Sequence, residues 1–169
     1  IEGVITFIFV DGHYQEINQV FPKNLKVSTG LKDFKPSRIN VPPKMSDPFE
    51  LLNTAFVDSA LSITIKENKD FTSPIRFLYI SESKTNLMIS PKIHLKVSKS
   101  SSCTFIEEHI SSKGSLFHNQ STNVKLEKNS TLNHIRIQTN SLKTTTINNI
   151  TINQKKDSAY NFTQFSEGS

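Results

Sequence analysis

The residues that could do metal or acid–base chemistry cluster in the stretch CTFIEEHI. Cys103, Glu107 and His109 are an even number of residues apart, so on a β-strand they point to one face. Along an extended strand Cys103 and His109 would lie about 20 Å apart, and Glu107 and His109 about 7 Å apart. Because metal sites need three or four converging groups, we interpret Glu107 and His109 as a polar pair and predict no metal site.

Two further histidines, His94 in KIHL and His134 in NHIRI, alternate with aliphatic residues. Such residues could stack on adjacent strands, but no carboxylate is spaced along the chain to orient either imidazole. The Ser-rich segment 98–103 contains no glycine and matches no phosphate-binding loop, so it predicts a corner. No base is recognisable for a Ser or Cys nucleophile, and the sequence therefore predicts no catalytic and no cofactor-binding residue.

Composition limits the possible partners of the chain. The net charge is +5, but the lysines are spread along the chain and arginine occurs only at Arg38, Arg76 and Arg136. Nucleic-acid interfaces concentrate arginine, so we expect no nucleic-acid partner. No apolar run approaches the roughly 20 residues that span a bilayer, so we expect no membrane segment.

The single cysteine, Cys103, excludes an intramolecular disulfide and a multi-cysteine metal site within the chain. The chain begins at Ile1, which suggests a fragment of a longer protein. Asn-x-Ser/Thr sequons matter only if the protein is secreted, and they occur at Asn119, Asn129, Asn149 and Asn161.

The elements that must position these residues are mostly short strands. ITFIFV followed by Asp11-Gly12 predicts a strand and a tight turn. Residues 16–46, rich in proline, predict an irregular loop that wraps a core edge. DPFELLNTAF predicts a short helix, with Asp47 as cap, Glu50 completing a capping box, and an apolar face. The residues expected on that face are Phe49, Leu52, Ala55 and Phe56.

From Ala60 onward the chain repeats a unit of two strands and a short polar connecting segment. The apolar residues that directly precede these polar segments are Ile65, Val97, Leu126 and Ile152, and they are 32, 29 and 26 residues apart. Repeats of this length predict a stacked array, because one unit cannot bury its apolar face alone. We therefore predict an all-β fold, a right-handed parallel β-helix with one short helix on its N-terminal side, and keep a β-sandwich as the alternative.

The ordered set of motifs resembles the SufD family of iron–sulfur cluster assembly proteins, whose core is shared with SufB. FIFVDGHY is similar to the strand and turn that open the family's core. DPFELLNTAF with the strands after it resembles the family's succession of a short helix, a strand, a polar segment with proline and a second strand. CTFIEEHISS, STLNHIRIQTNS and AYNFTQFSEGS resemble successive coils. The resemblance implies that residues 1–46 form an N-terminal strand-turn and wrapping loop. It also implies that residues 47–169 form a β-helix core that continues beyond this chain.

The resemblance also implies a function. A SufD-like chain is a non-catalytic scaffold that pairs with a SufB-like subunit and a SufC-like ATPase, in the bacterial cytoplasm, the plastid stroma or the apicoplast. The complex assembles the cluster, and no cluster ligand of the family maps onto this chain. The alternative is a secreted adhesin or polysaccharide-active β-helix, which would align carboxylates on one face. We expect the carboxylates largely at corners instead, at Glu67, Asp70, Glu107, Glu108, Glu127 and Asp157.

Overall fold

The computed structural model of the chain describes residues 3–30, 47–57, 59–67, 70–111 and 114–168. Within these ranges the chain is mostly β-structure. The elements are β1 (Ile5–Val10), β2 (His13–Gln15), β3 (Leu25–Thr29), α1 (Pro48–Phe56), β4 (Ala60–Ile65), β5 (Asp70–Ser81), β6 (Leu87–Ile89), β7 (Lys92–Val97), β8 (Ser102–Ser111), β9 (Leu116–Leu126), β10 (Thr131–Asn140), β11 (Thr144–Gln154) and β12 (Ala159–Gly168).

The strands form two sheets that stack coil upon coil. Sheet A has the order β12-β10-β8-β5-β1-β2, and sheet B has the order β11-β9-β7-β4-β3, with β6 also paired to β9. Strands of successive coils are parallel in both sheets, for example β8 beside β10 and β7 beside β9. Parallel stacking confirms the predicted β-helix, a solenoid of about four turns, and excludes the antiparallel β-sandwich.

The repeat predicted from the polar connecting segments is confirmed for the first three of its four apolar residues. Ile65, Val97 and Leu126 are direct neighbours across β4, β7 and β9. The prediction that Ile152 is the fourth equivalent residue is wrong, because Leu126 pairs with Gln154 and Ile152 pairs with Val124. The last step is therefore 28 residues, and it was missed because a polar residue takes the place of the apolar one.

The strand and turn predicted near the start are confirmed. Asp11 and Gly12 have φ values of 47° and 88°, the two positive angles that a tight turn between twisted strands needs. This turn joins β1 to β2, and the Asp11 carboxylate accepts hydrogen bonds from the backbone N–H groups of Glu82 and Ser83.

The predicted loop over residues 16–46 is wrong in part. Residues 25–29 form β3, which pairs antiparallel with β4 and places Leu25 in the core. Residues 16–24 form neither helix nor strand, as predicted, and residues 31–46 lie outside the described residues. Because β1 pairs with β5 and β3 with β4, both strands belong to the two sheets, and the division at residue 46 stays a prediction.

Helix α1 begins as predicted but packs on another face. Asp47 accepts hydrogen bonds from the backbone of Phe49 and Glu50, at 2.8 Å and 3.1 Å. The Glu50 carboxylate pairs with Lys92 of β7, at 2.9 Å, instead of closing a capping box. The predicted apolar face is wrong, since Phe49 is 40% exposed and Phe56 is 61% exposed, whereas Asn53 is buried.

Hydrogen bonds explain why α1 packs through Asn53. The Asn53 amide donates to the carbonyls of Pro91 and Asn119, at 3.0 Å and 2.8 Å. If another face of α1 packed here, the Asn119 carbonyl would lose this donor and the Pro91 carbonyl would keep only the Ser121 N–H, so polar contacts favour the observed orientation of the helix on sheet B. Among the described residues no helix is long and apolar enough to cross a membrane.

Between the sheets, the first coils bury an apolar core. Phe7, Phe77 and Phe105 pack edge to face across β1, β5 and β8, with ring centroids 5.2 Å and 4.7 Å apart. Ile63 and Leu95 face them from sheet B, fully buried. Each such side chain contributes about 1.5–3 kcal/mol of burial free energy, which anchors the coils that carry the polar residues described next.

Candidate functional site

The polar residues of CTFIEEHI do share one face, as predicted. Cys103, Glu107 and His109 all point between the sheets, where each is at most 3% exposed. Cys103 lies among apolar neighbours, next to Phe71 and Leu132 in the adjacent coils. Glu107 and His109 lie further along β8, where the interior turns polar. We define the polar interior cluster as Glu107 and the buried polar groups that surround it, Tyr79, His109, His118, Gln120, His134 and Arg136.

Glu107 is the centre of this cluster. Arg136 of β10 donates through Nε to Glu107 Oε2 at 2.7 Å, and its Nη2 lies 2.7 Å from the same oxygen. From β9, the amide of Gln120 donates to Glu107 Oε1 at 2.5 Å. The interpretation of Glu107 and His109 as a simple pair missed these contacts, because both partners lie in other strands.

His134 corrects a further expectation. Its Nε2 lies 3.1 Å from Glu107 Oε2, and its Nδ1 is 2.7 Å from the Tyr160 hydroxyl. A carboxylate therefore does orient this imidazole, although no carboxylate is spaced to do so along the chain. Stacking of β8 beside β10 brings Glu107 one coil below, and spacing within one strand could not reveal it.

The charges of the cluster follow from its contacts. Burial by itself raises the pKa of Glu107, but Arg136, His134 and His109 outweigh it and hold the pKa below the ordinary 4.5. Burial lowers the pKa of His109 to about 4, although Glu107 opposes this effect. Burial, with His109 nearby, also lowers the pKa of His118. At neutral pH the cluster is a closed carboxylate–guanidinium pair beside the neutral imidazoles of His109 and His118.

A small cavity lies at one end of the cluster. Tyr79 stacks on His109, with ring centroids 4.7 Å apart, and His118 is 5.0 Å from His109. The rings line the cavity together with Ser111 and Asn140. The Tyr79 hydroxyl and both ring nitrogens of His109 have no hydrogen-bond partner within the described residues. In the same part of the chain no three His, Cys, Asp or Glu side chains converge on a possible metal position.

The remaining candidates are separate from this cluster. His94 is on β7 in sheet B and His134 on β10 in sheet A, so the two do not stack. The corner predicted for residues 98–103 is confirmed for residues 98–101, where Ser100 has a φ of 52°, whereas residues 102 and 103 already belong to β8. Of the sequon residues, Asn119 is buried and donates to the Phe49 carbonyl, which leaves no room for a glycan.

The expected placement of the carboxylates at corners is wrong for two of them. Glu107 points inward from the middle of β8, and Glu108 points outward from the same strand. Glu108 accepts from Arg76 Nε at 2.9 Å. Because these carboxylates lie on opposite faces and are each paired with arginine, the alternative of a polysaccharide-active β-helix gains no support.

Reactivity at Cys103 is suppressed by its surroundings. Burial raises the pKa of this thiol to about 12, so it stays protonated at neutral pH. The thiolate is the form that attacks electrophiles and binds metals. Cys103 thus acts as a small apolar residue of the core in this structure.

The interior cluster lies inside a recognised family domain. Residues 79–169 match the family described as SUF system FeS cluster assembly, SufBD core domain. The chain belongs to the SufBD core family. The match begins within β5 and runs to the end of the chain, so Tyr79, Glu107, His109 and Arg136 are all residues of the SufBD core. No curated protein matches the chain.

Membership in the SufBD core family confirms two expectations in their coarser form. The chain is a component of the SUF system of iron–sulfur cluster assembly, and its partners are those of a Suf complex. SufD and SufB share this core domain, so the match by itself identifies neither of them.

Proposed function

We propose that the chain is a SufD-type scaffold subunit of the SUF assembly machinery, with no reaction of its own. The observation that carries the proposal is the SufBD core match over residues 79–169. The motifs FVDG and LNTAF, at the start of the chain and in α1, favour SufD over SufB because they resemble SufD more closely. The iron–sulfur cluster is the cargo of the complex, and this chain holds no resident cofactor.

The interior of the solenoid supports a structural role. The one carboxylate of the interior cluster is held by Arg136 and Gln120, and the one thiol is protonated and buried. An activated nucleophile needs a lowered pKa or an adjacent base, and Cys103 has neither among its apolar neighbours. Groups fixed in this way can stabilise a stack of coils without turning over a substrate.

The proposed partners are a SufB-like subunit and a SufC-like ATPase, without nucleic acid or membrane. The proposed location is the bacterial cytoplasm, the plastid stroma or the apicoplast, where SUF machinery operates.

Co-purification from a common host tests this function. The tagged chain, in its full-length parent protein, is co-expressed with the SufB-like and SufC-like proteins of the same source and analysed by size-exclusion chromatography. We expect a three-protein complex, with ATP hydrolysis only when the SufC-like protein is present. A bait in which Leu142, 82% exposed in the turn after β10, is changed to Ser controls for capture through an exposed apolar side chain.

A parallel co-expression with a SufD-like protein separates the two subunit types. If the chain binds a SufB-like partner and not a SufD-like one, it is of SufD type. The reverse preference would make it a SufB-type subunit, and binding to neither would overturn the proposed scaffold role.

A further inference from the structure

The segments that connect sheet B to sheet A form a corner that repeats from coil to coil. In three successive coils a residue with positive φ turns the chain there, namely Ser100, Asn129 and Asp157. The Ser100 N–H donates to the Lys128 carbonyl at 3.1 Å, and the Asn129 N–H donates to the Lys156 carbonyl at 3.2 Å. Because the backbone ladder continues through the corner, equivalent residues of successive coils lie about 4.8 Å apart.

This stacking gathers lysines that are far apart in the sequence. Lys99, Lys128 and Lys156 each precede the turning residue, so they occupy the same position in successive coils, and all three are exposed. The outward row of sheet B beside the corner adds Lys96 and Lys125, which are direct neighbours across β7 and β9. We define the lysine ridge as the lysines of this corner and this row, which are Lys26, Lys66, Lys96, Lys99, Lys125, Lys128, Lys155 and Lys156.

The lysine ridge accounts for the net charge of the chain. Among the described residues, the carboxylates of the same corner are Glu67, Glu127 and Asp157. Eight lysines against three carboxylates leave a net charge of +5, which equals that of the whole chain, so the charges elsewhere balance. The Lys125 ammonium, 3.0 Å from the Glu127 carboxylate, lowers the pKa of that carboxyl, and Lys96 and Lys155 add to the effect.

The stacked lysines favour an anionic ligand. Like charges that lie opposite each other on neighbouring strands repel, so Lys99, Lys128 and Lys156 oppose the stacking of their own coils. Anionic groups placed along the ridge relieve this repulsion. The summed potential of a surface with one sign of charge also attracts such groups from solution.

The length and the chemistry of the ridge fit an acidic protein segment. From β3 to β11 the ridge crosses five strands, about 19 Å, which about six residues of extended chain also span. Arginine is the preferred residue for nucleic-acid recognition, and aromatic side chains stack on the bases of single strands. The described part of the corner and of the row beside it contains neither arginine nor an aromatic residue, so carboxylates fit the ridge better than a nucleic acid does.

From these observations we infer that the lysine ridge binds an acidic segment of a partner protein, extended along the direction in which the coils stack. Helix α1 contacts the start of β7, where Glu50 pairs with Lys92, whereas the ridge lies at the other end of that strand. The inference rests on the fold and its charges. It applies equally to a SufB-type and a SufD-type chain, so it does not depend on the proposed function.

Fluorescence anisotropy of a labelled acidic peptide tests the ridge. The probe alternates Glu and Ser over about 12 residues, twice the span of the ridge, and the protein is the full-length parent of the chain. We expect binding that weakens with added salt, and at least about tenfold weaker binding for Lys128→Glu with Lys156→Glu. The matched control, Lys84→Glu with Lys143→Glu, makes the same charge change at exposed lysines in turns away from the ridge. Because salt screens distant charges, it should weaken binding less than about threefold.

A milder pair of substitutions keeps the test independent of folding effects. Lys128→Gln with Lys156→Gln removes two charges without adding carboxylates, and it should weaken binding at least about threefold with an unchanged far-ultraviolet circular dichroism spectrum. Equal losses in the ridge and control variants, or ridge variants that bind the peptide as the unmodified protein does, would overturn the inference.

A second probe separates the two classes of anionic ligand. A single-stranded oligonucleotide of the same length as the peptide should bind more weakly than the peptide does. Tighter binding of the oligonucleotide, lost in the ridge variants and retained in the control, would overturn the inference and identify the ridge as a nucleic-acid surface.

Discussion

At the scale of single residues, the interior of this SufBD core protein holds an uncommon feature, a fully buried ion pair. Glu107 and Arg136 are joined at 2.7 Å in a region where a lone charge would be costly. Removing two charges from water costs several kcal/mol, which mutual attraction and extra hydrogen bonds offset. Gln120 and His134 supply those extra contacts, so the pair is strongly coupled to its surroundings.

Arg136→Met should destabilise the fold by about 3–5 kcal/mol, because it leaves Glu107 buried without its cation. The free energy of unfolding, measured in urea by circular dichroism, checks this value. Glu107→Met with Arg136→Met should cost clearly less than either single change, since no unpaired charge remains. Arg76→Met is the control, and loss of that half-exposed pair should cost about 1 kcal/mol or less. Equal losses for Arg136→Met and Arg76→Met would contradict the role given to burial.

Cys103 should resist alkylation in the native protein. Burial raises its pKa from 9.0 to about 12, so the folded state favours the neutral thiol. The resulting stabilisation is fully present below pH 9 and disappears as the pH rises towards 12. Iodoacetamide at pH 8 should label the chain slowly without denaturant and rapidly in urea, as measured by mass spectrometry. Rapid native labelling would show that the thiol is accessible.

At the scale of secondary-structure elements, helix α1 shows how local pattern and tertiary packing compete. The cap at Asp47 was predictable because it depends on neighbouring residues only. The packed face was not, because the surface beneath α1 presents backbone carbonyls of Pro91 and Asn119. An amide satisfies those acceptors, and an apolar side chain does not.

Asn53→Leu tests which face of α1 packs. The change improves the apolar pattern of the helix, yet it should cost about 1–3 kcal/mol, because the Asn119 carbonyl loses the Asn53 donor and the Pro91 carbonyl keeps only the Ser121 N–H. Phe56→Ser, at a position 61% exposed, should change the free energy of unfolding by about 0.5 kcal/mol or less. Urea unfolding of both variants provides the comparison. A larger loss for Phe56→Ser than for Asn53→Leu would restore the face predicted from the sequence.

At the scale of the whole molecule, the solenoid interior changes character from the first coil to the last. Phe7, Phe77 and Ile63 fill the first coils, whereas Thr146, Asn148 and Gln164 line a polar groove at the far end. Each coil of a solenoid contacts only its neighbours, so local stability follows local core composition. Phe162 and Ile152, inward-facing in the last coil, are 42% and 37% exposed.

Hydrogen exchange should follow this gradient. We expect amides of β5, β7 and β8 to exchange slowest and those of β12 to exchange fastest, because apolar contacts protect the first group and β12 is the edge strand of sheet A, paired with β10 alone among the described strands. Exchange followed by mass spectrometry over hours resolves the strands as peptides. Uniform protection from β5 to β12 would mean that the coils open as a single unit, contrary to nearest-neighbour stability.

The sequence by itself determined the parts of the protein that depend on neighbouring residues. The strand alternation that turns Cys103, Glu107 and His109 to one face, the Asp11–Gly12 turn, the Asp47 cap and the repeated coil all follow from side-chain periodicity and backbone preference. The register of the first three coils was readable because an apolar residue marks each one.

Only the tertiary structure decided the contacts made between coils. Glu107 meets Arg136 and His134 because β8 and β10 stack in a register that places residues 29 and 27 positions away beside it. The same stacking pairs Leu126 with Gln154 and not with Ile152. It also presents the Asn119 carbonyl to α1, so that Asn53 lies on the buried side of the helix. Hydrogen-bond partners distant in sequence carry no local signal, because the free energy of pairing them exists only when the coils are assembled.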